Sequence, residues 1–86
     1  MAVVYRHIRK DKNEPFYIGI GHTEERAYKK SQRNNMWHKI TAKTDYEVEI
    51  LFENVSWEFA KEKEIELISL YGRKDIRTGT LCNLTR

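Results

Sequence analysis

Residues 16–21 read FYIGIG. This is an apolar, strand-like run with glycine at alternate positions, on the same face as Tyr17. A strand interior avoids glycine, which packs nothing and costs conformational entropy. Its use here implies that a bulky group must come close to the backbone at Gly19 and Gly21. The preceding MAVVYRHIR alternates, with Val3, Tyr5 and His7 on one face and Val4, Arg6 and Ile8 on the other. That reads as a strand covered on both sides. Between the two runs, KDKNEP is polar and ends in the only proline, so it predicts a turn and an antiparallel hairpin.

The rest of the chain completes a small α+β domain in the order β-β-α-α-β-α, a three-stranded antiparallel sheet flanked by helices. Thr23 predicts an N-cap, with Glu24 and Glu25 in the first turn, where the helix dipole favours acids. That helix is expected to run through RAYKKSQ, and NNMWHKITAK to follow as a second piece with Met36, Trp37 and Ile40 at helical spacing. In DYEVEILFE, Tyr46, Val48, Ile50 and Phe52 share one face of a strand. Ser56 caps a long helix, WEFAKEKEIELISLYG, which Gly72 stops.

With 86 residues, one domain is expected over 1–86. Hydrophobic residues at 40% and aromatics at 12% support a thin core and exclude disorder. No apolar run is long enough to span a membrane, so a cytoplasmic setting is expected. Cys82 is the only cysteine and reads as a small buried apolar residue. Charge is unevenly placed: residues 1–43 hold ten basic and four acidic residues, and 44–86 hold six and nine. From Arg26 to Lys43 there are six basic residues and no acidic one. That segment is either a solvated face or an electrostatic footprint for a polyanion.

One residue is out of place. On the last helix Trp57, Ala60, Leu67, Ile68 and Tyr71 form an apolar stripe, and Glu64 sits in its middle. A carboxylate there is costly unless paired or metal-bound. It is either half of a partly buried ion pair or a ligand. Tyr5, Tyr17, Arg26 and Asn83 are positioned to converge with it.

These residues resemble the GIY-YIG nuclease family over nearly the whole chain. Tyr17-Ile18-Gly19 keeps the second motif element, and Val3-Val4-Tyr5 keeps only the tyrosine of the first. Arg26 follows Tyr17 by nine positions, as the family's helix arginine does. Glu64 opens E-x-x-L-I-x-x-Y, which is similar to the family's glutamate motif, and Asn83 takes the terminal asparagine position. The chain also looks like the stand-alone, phage-encoded, homing-endonuclease-like type, a catalytic domain without its targeting module.

The resemblance implies a DNA endonuclease. Glu64 would bind one Mg²⁺ or Mn²⁺ ion, and Arg26 would grip the scissile phosphate. Tyr5 would be the general base, with Tyr17 the alternative base or a phosphate-orienting donor. Lys30, one turn after the arginine, or His38 would assist the tyrosine, and Asn83 would position Glu64 or a water. Gly19 and Gly21 would let the phosphate approach, and Lys29, Lys30 and Arg33 would hold the DNA backbone from the same helix. The implied partners are DNA and a separate DNA-targeting domain or protein. A non-catalytic nucleic-acid-binding module on the same fold is the alternative. Trp37 reads as core, and His7 and His22 carry no assigned role.

Overall fold

The first strand buries Val3, Tyr5, His7 and Arg9 on one side and Ala2 and Val4 on the other, as a strand at the centre of a sheet does. The computed structural model, which describes residues 1–72 and 81–82, has that form. Strand β1 (Ala2–Arg9) lies between β2 (Glu14–Gly21) and β3 (Tyr46–Val55), antiparallel to both, in the order β2-β1-β3. The helices are α1 (Glu25–Tyr28), α2 (Asn35–Lys43) and α3 (Trp57–Tyr71). The α+β class and the element order expected from the sequence are present. Among the described residues no helix is long and apolar enough to cross a membrane.

The two faces of the sheet do different work. On one, Ala2, Val4, Ile18 and Ile20 pack against Ala60, Trp57, Leu67 and Ile68 of α3. Arg6 lies under the end of the same helix, donating to the Tyr71 hydroxyl at 2.9 Å and pairing with Glu49. The other face carries Val3, Tyr5, His7, Tyr17 and Gly19 beneath α1 and α2, with Ala27, Trp37 and Ile40 as their cover.

Three register steps adjust this alternation, one of them between Ala2 and Val4, where β3 carries Asn54 at a φ of 57°. The β1–β2 register steps at His7/Ile8, leaving Phe16 as the extra residue, so Phe16 and Tyr17 both join the cluster around His7 and Trp37. The β1–β3 register steps at Val4/Tyr5, where Leu51 is extra. A bulge reverses the facing of everything beyond it. Ile50 therefore packs on Tyr5 while Phe52 packs on Val4 and Ala60. The single face expected for Tyr46, Val48, Ile50 and Phe52 is corrected accordingly.

The caps expected for α3 are present, and α2 has one that was not expected. Ser56 accepts from the Phe59 N–H, Gly72 closes α3 at a φ of 76°, and Asn34 accepts from the Trp37 N–H. Asn34 also donates from Nδ2 to the Cys82 carbonyl, and the Cys82 N–H donates to the Phe16 carbonyl. The last described residues are thereby tied to β2, with Cys82 buried as expected.

The first helix departs from expectation. It spans four residues, not the full RAYKKSQ run, and Glu24 rather than Thr23 is its N-cap, without a side-chain bond. Lys29 is already extended and Gln32 takes a φ of 60°. The cause is Arg33. A helix leaves its last carbonyls without partners, and here the Arg33 guanidinium fills that role. Nη2 donates to the Arg26 carbonyl at 2.7 Å, and Nε to the Lys29 carbonyl at 3.0 Å.

Candidate functional site

The centre of the α1/α2 face is an aromatic and cationic cluster. Tyr5 and Tyr17 sit on adjacent strands with ring centroids 6.5 Å apart. Arg33 enters between them from the chain linking α1 and α2. Its guanidinium carbon lies 5.5 Å from the Tyr5 ring centroid, 5.1 Å from Tyr17 and 5.7 Å from Trp37, and Nη1 donates to the Tyr5 hydroxyl at 2.9 Å. Arg33 is only 8% exposed and Tyr5 1%. The expectation that Arg33 is a surface phosphate contact on a longer α1 is therefore corrected: it is a buried arginine that fixes Tyr5. Nothing in the sequence separates it from the lysines around it.

The glycines answer to the same cluster. A Cβ at Gly19 would overlap the Tyr5 ring, and one at Gly21 would lie 2.6 Å from the Arg26 Cβ and 2.8 Å from its Cγ. The room they leave, expected to admit a phosphate, is filled by two of the chain's own candidate site residues. Neither glycine has a positive φ, so the demand is for space and not for backbone freedom. Gly19→Ala should thus push the tyrosine off Arg33. Overpacking of this kind costs about 1–3 kcal/mol. Thermal unfolding should show a lower melting temperature for Gly19→Ala; an unchanged one would mean that the ring has room to spare.

Arg26 is the second cation. It is half-buried, and its Nη1 is fully enclosed with no hydrogen-bond partner among the described residues. Among the described residues neither Arg26 nor Arg33 meets a carboxylate; the ion pairs there are Arg6–Glu49, Arg9–Asp11 and Lys63–Glu66. Both guanidiniums act on Tyr17 and His7. Burial pushes the Tyr17 hydroxyl above its ordinary pKa, the neighbouring Tyr5 adds to this, and the two arginines pull the other way. Tyr17 remains a neutral phenol at physiological pH.

His7 lies directly below, with no exposed surface. Trp37 Nε1–H can only donate, and it donates to His7 Nδ1 at 2.9 Å. The proton of the neutral imidazole is therefore on Nε2, which donates to the Ala27 carbonyl at 2.8 Å. This neutral ring joins β1, α1 and α2. Desolvation, reinforced by Arg33 and Arg26, lowers its pKa from 6.5 to about 4, against the opposing bond to Ala27. The unfolded chain then takes up a proton between those values and the folded chain does not. Stability is full above pH 6.5 and falls as the pH drops toward 4, by about 3 kcal/mol from this group at 1.36 kcal/mol per pKa unit. Chemical denaturation at pH 7.5 and 4.5 should show this loss, and His7→Gln should flatten the slope. An equal slope in both proteins would contradict it.

The remaining candidates are scattered. Lys29 and Lys30 are exposed beyond the end of α1, and His38 is exposed on α2, edge-on to Trp37 with centroids 5.0 Å apart. No hydrogen bond joins Lys30 or His38 to either tyrosine among the described residues. Asn83 lies outside the described residues. Trp37 is core, as expected, at 1% exposure.

Glu64 sits on α3, on the face of the sheet opposite the tyrosines. It is half-buried, and burial alone raises its pKa, with no cation contributing. The ion pair that would have explained it is absent among the described residues. Its link to the other cluster is β2, an edge strand on which α1 packs from one face and α3 from the other. The described residues contain no group of three or more His, Cys, Asp or Glu able to cage a metal. No family model, curated protein or solved structure matches the chain.

Proposed function

We propose that this chain is a divalent-metal-dependent DNA endonuclease of the GIY-YIG kind that its sequence resembles. The observation that carries the reading is the enclosed Nη1 of Arg26, which has no hydrogen-bond partner among the described residues, together with a second buried guanidinium, Arg33, that meets no carboxylate among them. Two partly desolvated cations with no anion between them are costly. A phosphodiester would supply the missing charge and form charge-assisted bonds to Arg26.

The roles are those the resemblance implies, set against the observed geometry. Arg26 grips the scissile phosphate and offsets charge developing on it. Tyr17, kept neutral by burial, donates its hydroxyl proton to a phosphate oxygen. Tyr5 accepts from Arg33 and so keeps its own O–H free to orient the attacking water. Glu64 is the residue to hold the cation: it is half-buried and has no ion-pair partner among the described residues. A lone carboxylate with waters and substrate oxygens completing the shell suits Mg²⁺ or Mn²⁺. When bound, the ion supplies Lewis acidity and charge stabilisation at the leaving oxygen. DNA lying across the β2 edge would meet Arg26 on one side and Glu64 on the other. Exposed Lys10, Lys29, Lys30, Lys39 and Lys43 attract it to the tyrosine side, and exposed Glu58, Glu62 and Glu66 on α3 discourage the alternative.

The test is nicking of supercoiled plasmid by wild type and Arg26→Ala. Loss of one such donor costs about 10²–10³ in rate elsewhere, and a drop of that order is expected with the melting curve retained. Equal nicking by both proteins would contradict the role of the cluster. The separation of Glu64 from the tyrosines favours one second reading, a nucleic-acid-binding module without catalysis. It predicts DNA binding that depends on Arg26 with no metal-dependent nicking.

A further inference from the structure

A groove opens beside the arginine–tyrosine cluster, between the end of α1 and the β3 edge. It is lined by Lys10, Tyr28, Lys30, Asp45, Tyr46 and Val48. Tyr28 is 58% exposed, so its ring is open to a ligand. Tyr46 is half-buried and continues inward, its ring 5.1 Å from His7 and edge-on to Phe16. The groove therefore leads from solvent to the ring system that Arg33 occupies. Both lysines are exposed, while on its other side Tyr28 borders Glu24, Glu25 and Lys29, a surface less favourable to a polyanion.

We infer that this groove, at the opposite edge of the sheet from β2, takes an unstacked nucleotide of the strand whose phosphate Arg26 holds, and that the preferred ligand is single-stranded DNA or an unpaired end. The inference rests on the nuclease reading and names its substrate form. Tyrosine rings offer every base a stacking face, and lysines at the rim meet the backbone on either side; that combination suits single strands. A base within an intact duplex is already stacked on its neighbours and its edges are paired, so it cannot lie on Tyr28 or Tyr46. Among the described residues only Asp45 and the Tyr28 and Tyr46 hydroxyls offer the groove side-chain acceptors, and ring stacking with lysine contacts to the backbone carries little sequence information.

The experiment is fluorescence anisotropy in EDTA, where cleavage is silent, with a labelled oligothymidylate and a duplex of equal length. Wild type should bind the single strand at least fivefold more tightly. Tyr28→Ala should weaken single-strand binding about tenfold, in line with the loss of one stacked base, and leave duplex binding unchanged. Tyr28→Phe should restore it. Lys10→Ala with Lys30→Ala should reduce the slope of affinity against salt on a logarithmic scale by about one and a half. Equal affinity for the two forms, or binding indifferent to Tyr28→Ala, would overturn the groove. If Arg26→Ala still abolishes nicking in that case, the nuclease reading survives without it. Absence of both binding and nicking in the wild type would overturn the two together.

Discussion

Arg33→Ala is expected to be among the most destabilising single changes in this chain. The residue makes three hydrogen bonds, to the Tyr5 hydroxyl and to the Lys29 and Arg26 carbonyls. Its stem and guanidinium fill the space between Tyr5, Tyr17 and Trp37. Truncation leaves a buried phenol and two carbonyls without their donor, at about 1–3 kcal/mol for a group that stays buried. Removing a buried charge that has no carboxylate partner refunds part of this. A net loss of about 3 kcal/mol follows, which for a domain of this size lowers the melting temperature by about 10–20 °C. Arg33→Lys should recover little, because a single ammonium cannot serve three acceptors in a fork. Thermal unfolding by circular dichroism measures this. A melting temperature within a few degrees of wild type for Arg33→Ala would show that the α1–α2 link closes by itself.

Glu64→Ala is expected to behave in the opposite way: activity falls steeply while stability rises. No cation offsets the burial of Glu64, and burial raises its pKa above the ordinary 4.5. For an acid shifted upward, the folded chain holds its proton more tightly than the unfolded chain. The carboxylate therefore costs stability above its folded pKa, and that cost disappears as the pH falls to 4.5. Alanine removes the cost and is the better helix former. A melting temperature a few degrees above wild type is expected at pH 8, with the gap closing toward pH 4. Under the nuclease reading the same variant loses the metal's charge stabilisation, several kcal/mol, which is about 10²–10³ in rate. A lower melting temperature at pH 8 would mean that Glu64 is structural and would remove it from the site.

Gly19, Gly21 and Glu64 stand out in the sequence because each breaks a local pattern, whereas Tyr5, Tyr17 and Arg26 owe their assigned roles to the family resemblance. Glycines stand where a strand wants side chains, and a glutamate stands on an apolar stripe. The hairpin and α3 were legible for the complementary reason, clean alternation or clean caps. What stayed hidden was set by contacts distant in sequence. Arg33 looks like one more basic surface residue, and only its burial against Tyr5, 28 residues earlier, makes it the stop of α1. The bulges at Phe16 and Leu51 leave no mark in the alternation, since apolar residues occupy both parities there. His7 reads as an ordinary strand residue until Trp37, 30 positions on, fixes its tautomer. The glycines pointed to a close approach but not to its source, which is the side chains of Tyr5 and Arg26.

The measurement that bears most directly on the proposed activity is cleavage of supercoiled plasmid by the wild-type chain with Mg²⁺ or Mn²⁺, against EDTA and against Glu64→Ala under the same conditions. The account predicts metal-dependent nicking that vanishes with EDTA and in a Glu64→Ala protein shown to be folded. Nicking that persists in EDTA or in Glu64→Ala, or no nicking by wild type that nonetheless binds the DNA, would contradict it and leave a nucleic-acid-binding module in its place.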